Sequence, residues 1–150
     1  MLNKEKSEQL LSAVEEHYNK AIALKERPYF NEPDKAIEQL NEVNELIAEF
    51  GRSNASLENF YLKEIRDVNK KIVDTETAIK EKKAEKKDVV KDPKKVKSLN
   101  TYITKKKERL NGYKTTLSEI KSTEKIHSAQ VKGMLKELNT LQKHLSSAAN

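Results

Sequence analysis

Residues 96–145 read VKSLNTYITKKKERLNGYKTTLSEIKSTEKIHSAQVKGMLKELNTLQKHL. Val96, Leu99, Ile103, Lys106, Leu110, Tyr113, Leu117, Ile120, Glu124, His127, Val131, Met134, Leu138, Leu141 and Leu145 recur at alternating steps of three and four. That is the period of a helix with a narrow buried seam; a half-buried strand would alternate at every second residue. The unbroken register predicts one long helix, about 75–80 Å at a rise of ~1.5 Å per residue. Gly112 and Gly133 lie inside it. Each costs about 1 kcal/mol relative to alanine, which so long a seam tolerates, although either could kink the helix.

Upstream, the Asp92-Pro93 pair interrupts the pattern, because proline lacks an amide donor and restricts the residue before it. Before that break, Tyr61, Ile65, Val68, Ile72, Thr75 and Ile79 form a second heptad seam, which predicts a helix from about Ala55 to Lys87. Continued in register, this seam reaches Lys82 and Lys86, so apolar packing fades toward the break. Ala36, Leu40, Val43, Ile47 and Phe50 predict a shorter helix opened by Pro33 and Asp34. Gly51 would stop it, with Ser53 or Ser56 capping the helix that follows. Leu10, Leu11, Val14, Tyr18, Ala21, Ile22 and Leu24 predict a first helix over about Asn3–Arg27, ended by Pro28 and the loop PYFNEP.

A short break at Asp92-Pro93 makes its two flanking helices antiparallel neighbours. Folding about residue 92 sets Ile79 near Lys106, Ile72 near Leu110–Tyr113 and Tyr61 near Ile120–Glu124. The fold expected is all-α: an elongated antiparallel coiled-coil hairpin, or stalk, with a small three-helix bundle head. The head would comprise residues 3–50 and 128–147 and the stalk residues 55–127, with its tip near 88–95, in a single elongated domain.

Composition agrees with narrow seams. Hydrophobic residues are 35% of the 150 and charged residues 36%, against averages of about 45–50% and about 25% in globular domains. No cysteine is present, which excludes disulfides and thiolate metal sites and suits a reducing compartment. The N-terminal MLNKEKSEQLL carries no apolar core of signal-peptide length, and no apolar run approaches the roughly 18 residues of a membrane span. A cytoplasmic setting is expected.

The charge is uneven. Residues 1–50 hold 6 basic and 11 acidic residues, residues 51–100 hold 14 and 9, and residues 101–150 hold 10 and 4. Nine lysines lie between residues 80 and 97: Lys80, Lys82, Lys83, Lys86, Lys87, Lys91, Lys94, Lys95 and Lys97. Such a cluster is a candidate contact for a polyanion or an acidic partner. Lys105, Lys106, Lys107 and Arg109 extend it along the returning helix. The competing reading is a solvated tip in which acids pair with lysines along the helix, as Glu76 with Lys80 or Asp88 with Lys91. Lysine also makes poorer bidentate phosphate contacts than arginine.

Val131, Met134, Leu135, Leu138, Leu141 and Leu145 form the most apolar segment and are a candidate helix-association surface, for a partner helix or a homodimer seam. The competing reading is intramolecular core, covered by the first two helices. Tyr29 and Phe30 add apolar rings in the first loop, while Leu62, Val73, Tyr102 and Ile126 lie off the main seam.

Catalytic signals are weak. Glu124 and His127 form one Glu-x-x-His, half of a bundle di-iron ligand set, but no second copy exists, so a polar layer fixing register is the better reading. His17 and His144 have no ligand-spaced neighbour. No glycine-rich phosphate loop, nucleophile elbow or zincin motif occurs, and no cofactor is implied. The Trp-x-Gly signature of small secreted helical hairpins is not met, since the chain lacks tryptophan and Phe50-Gly51 lacks the intervening residue.

The expectation is therefore a non-enzymatic adaptor, scaffold or chaperone-like subunit that binds a protein partner through coiled-coil surfaces. The alternative is a nucleic-acid-binding arm that uses the lysine tip. Attachment to an anionic membrane ranks below both, because no lipid-facing aromatics accompany the lysines.

Overall fold

The computed structural model describes residues 2–26 and 32–149. Among these the protein is all-helical: α1 (Lys4–Ala23), a 3-10 turn (Leu24–Glu26), α2 (Pro33–Asp88) and α3 (Pro93–Ala149). Pro28, Tyr29, Phe30 and most of the PYFNEP loop lie outside the described residues. No helix among the described residues is long and apolar enough to cross a membrane.

Local chemistry explains the helix ends. The Asn3 side chain accepts a hydrogen bond from the Lys6 amide at 3.0 Å, satisfying an N-terminal donor of α1. Between α2 and α3, the Asp92 amide donates to the Val89 carbonyl at 2.9 Å and closes the turn. Asp92 Oδ1 then accepts from the Lys95 amide at 3.3 Å, and Pro93 takes the first helical position, where its missing N–H costs nothing.

Gly51 does not stop a helix. The two helices expected over 33–50 and 55–87 are one continuous α2. No glycine among the described residues has a positive φ, so Gly51 does not form the left-handed cap that ends many helices. Ser56 does not cap either, since its hydroxyl bonds back to the Arg52 carbonyl within the helix at 3.3 Å. The physical reason is register. Val43, Ile47, Phe50, Leu57 and Tyr61 continue one apolar stripe through the glycine, with Val43, Phe50, Leu57 and Tyr61 buried. Burying such side chains is worth about 1.5–3 kcal/mol each, which outweighs the ~1 kcal/mol propensity cost of one glycine.

The chain divides into two compact units. Unit I holds Leu2 and Leu62–Ser122, and unit II holds Asn3–Tyr61 and Thr123–Asn150. The divide on α2 falls at Tyr61–Leu62.

In unit I, Val68, Ile72, Thr75 and Ile79 of α2 and Ile103 and Ile120 of α3 are buried. The Lys71 ammonium lies 5.8 Å from the Tyr113 ring centroid, and that of Lys82 lies 5.4 Å from Tyr102. In each pair the two residues are equally spaced on either side of residue 92.

In unit II, Leu24, Val43, Leu141 and Leu145 form a buried cluster, with Leu40, Leu46 and Ile47 packed against it. Val14, Ala21, Phe50 and Leu138 are also fully buried or nearly so. The beginning of α2 and the end of α3 thus pack within one chain. Polar contacts add to this: Gln142 Nε2 donates to Asn44 Oδ1 at 2.7 Å between α3 and α2, and the Tyr18 hydroxyl of α1 donates to Glu137 of α3.

Candidate interaction site

The nine candidate lysines fall into two groups. Lys82 and Lys86 occupy the seam of α2 and are half-buried, as the heptad register requires. Lys82 donates to Glu85 at 3.0 Å, and that carboxylate holds its ammonium above the ordinary lysine range. Lys80, Lys83, Lys87, Lys91, Lys94, Lys95 and Lys97 are exposed. Neither expected helical pair forms: Glu76 does not pair with Lys80, nor Asp88 with Lys91, and the ion pair in this segment is Lys82–Glu85. Lysines beside the seam are thus left without carboxylate partners among the described residues.

Three of these lysines line a groove. Lys80, Lys83 and Lys87 of α2 and Lys107 of α3 line it together with Ile79, Ala84 and Leu110, and Glu76 is its one acid. All four lysines are exposed. Each follows a seam residue by one position, namely Ile79, Lys82, Lys86 and Lys106. That offset was readable in the sequence, but without knowing which side of each helix is open it does not single out Lys107 from Lys105 or Arg109. The ring of Tyr102 is taken by the ammonium groups of Lys82 and Lys106, each 5.4 Å from its centroid.

The candidate association stripe on α3 is largely covered by its own chain. Val131, Leu138, Leu141 and Leu145 are buried in unit II, Met134 is half-buried, and only Leu135, 39% exposed, lies open. At the end of this stripe, Leu141 and Leu145 pack with Leu24 and Val43 of the same chain.

Other apolar side chains are left uncovered. Leu62 and Val73 on α2 are each 60% exposed, and Val90 in the turn is 70% exposed. Leu62 and Val73 each follow a buried seam residue, Tyr61 and Ile72, by one position. Their eleven-residue separation is close to three helical turns, so both lie on one stripe of α2. Ile126 in unit II is also open. Tyr102, the fourth residue expected off the seam, is half-buried.

Unit II contains a polar layer. The hydroxyl of buried Tyr61 lies 2.5 Å from His127 Nδ1, and the two rings meet edge-on with centroids 5.7 Å apart. His127 is thus one turn beyond the Ile120–Glu124 segment expected opposite Tyr61. Burial lowers the His127 pKa from its ordinary 6.5, against the pull of Glu15 and Glu8. Burial also raises the Tyr61 pKa. Ser7 is also buried and donates to the Lys4 carbonyl at 2.9 Å. Among the described residues no three His, Asp or Glu side chains stand close enough to share a metal ion.

His17 Nδ1 stands 3.1 Å from Glu49 Oε2, without the alignment of a hydrogen bond. His144 is exposed beside a small groove that includes Ile22, Lys136 and Thr140. Comparison with known protein families, curated proteins and solved structures gives no match for this chain.

Proposed function

We propose that this protein is a non-enzymatic helical interaction protein of the cytoplasm, an adaptor, scaffold or chaperone-like subunit that binds a protein partner by helix packing. In this reading, residues 62–88 and 93–122 form an antiparallel coiled-coil hairpin with one side open, and unit II is a three-helix bundle. The observation that carries the reading is the exposure of Leu62 and Val73, 60% each, on one stripe of α2. The buried seam beside them is complete without them, so their fold gains little from either. A partner helix laid along that stripe would bury both, and each fully buried side chain of this size contributes about 1.5–3 kcal/mol.

The experiment is affinity co-purification from the native cell with a Leu62→Glu/Val73→Glu variant. Both positions are exposed, so the variant should melt like the wild type. The partner should be lost from it and retained by an Asn111→Glu/Ser118→Glu control on exposed positions of α3. Retention of every partner by the first variant would refute the reading. A wild-type dimer that this variant dissociates would make the occupant a second copy instead.

A further inference from the structure

We propose that the lysine-walled groove of unit I binds the phosphate backbone of duplex nucleic acid, independently of the apolar stripe that serves a protein partner. Charge is partitioned between the two units. Residues 62–122 hold 19 basic and 10 acidic residues, a net charge of +9, whereas unit II holds 11 and 14, a net charge of −3. The positive field is therefore a property of one unit and not of the whole surface. Within that unit, Lys80, Lys83, Lys87 and Lys107 converge on one groove, are exposed and make no ion pair among the described residues.

Spacing fits a run of phosphates. Lys80, Lys83 and Lys87 rise along α2 by about 4.5 and 6 Å at ~1.5 Å per residue, and Lys107 stands on the facing helix. Ammonium groups on flexible stems meet phosphates as point charges, which suits binding without sequence reading. The aromatic groups decide between duplex and single strand. Base stacking needs free ring faces. The two tyrosines of unit I, Tyr102 and Tyr113, are half-buried, and lysine ammonium groups lie over their rings. No aromatic side chain lines the groove. A duplex, which presents phosphates and keeps its bases stacked, is the form this surface fits.

The test is fluorescence anisotropy of a labelled mixed-sequence duplex DNA with the full chain, across salt. Four phosphate contacts give a slope of log K against log salt of about −3.6, so affinity should fall about 150-fold from 50 to 200 mM. A Lys80→Gln/Lys83→Gln/Lys87→Gln/Lys107→Gln variant should lose most of that slope and bind at least about tenfold more weakly at the lower salt. A Lys4→Gln/Lys6→Gln/Lys136→Gln/Lys143→Gln control, which removes equal charge from exposed positions of unit II, should keep the wild-type slope. Circular dichroism establishes that both variants fold. Absence of binding at the lower salt, or a groove variant with the wild-type slope, would overturn the proposal. So would tighter binding of single-stranded RNA, of polyglutamate or of anionic phosphatidylserine vesicles than of the duplex.

Discussion

Gly51→Ala separates a continuous α2 from a chain that breaks at residue 51, because the two arrangements give the substitution opposite signs. Gly51 is exposed, has no positive φ, and a methyl group there would meet no heavy atom within 4 Å. Alanine in that setting removes the backbone entropy penalty of glycine and should stabilise the protein by about 1 kcal/mol. A left-handed cap at residue 51 would instead make alanine cost about 1–2 kcal/mol. Urea unfolding followed by helical circular dichroism reads the difference. With a slope of about 1–3 kcal/mol per molar urea, the midpoint should rise by roughly 0.3–1 M without a change in slope. The melting temperature should rise by about 2–4 °C. Gly112→Ala and Gly133→Ala supply the reference, since both positions are exposed inside α3 with equally free surroundings. A Gly51→Ala protein less stable than wild type, beside two stabilised reference variants, would refute the continuous helix.

Leu138→Ala should destabilise by about 2–5 kcal/mol because its side chain is fully buried, whereas Leu135→Ala on the open side should cost about 1 kcal/mol or less. Thermal melts of the two variants check the contrast. Tyr61→Phe removes the hydroxyl that partners His127 and should cost about 1–2 kcal/mol, less when His127 is already replaced, in a double-mutant cycle. The depressed His127 pKa also sets a pH dependence. Above about 6.5 the ring is neutral in the folded and unfolded chains alike; as pH falls below that value the unfolded chain takes up a proton that the folded site resists. Stability should therefore fall with acidification until the folded ring also titrates. The fall should be smaller in His127→Gln, measured by urea unfolding at pH values on either side of 6.5.

Much of the packing was legible in the sequence because seams are periodic. Every one of the fifteen positions read on α3, including Lys106, Glu124 and His127, is buried or half-buried. The same holds for Lys82 and Lys86 on α2, two charges that apolarity alone would have placed outside. Gly51 is a stop signal only locally, and the apolar stripe that crosses it keeps α2 continuous. Phe50 and Leu57 stand seven residues apart, in phase, on either side. The α3 stripe was ambiguous for a different reason. Periodicity says that Leu141 and Leu145 must be covered but not by what, and Leu24 and Val43 supply the answer only in three dimensions. The candidate site was the least legible part. A run of nine lysines gives their number, while the pairing of Lys82 with Glu85 depends on side-chain directions along α2 and the convergence of Lys107 with Lys80 on those across two helices.

Site-specific photocrosslinking at Val73 tests the proposed function most directly. A benzophenone side chain at Val73, irradiated in the native cell, should attach to one other protein, on a segment with its own apolar heptad seam. Leu62→Glu in the same chain should abolish that adduct, and a probe at exposed Ser118 should not form it. No adduct at Val73, or the same adducts from Ser118, would contradict the assignment of this stripe as the partner-binding surface.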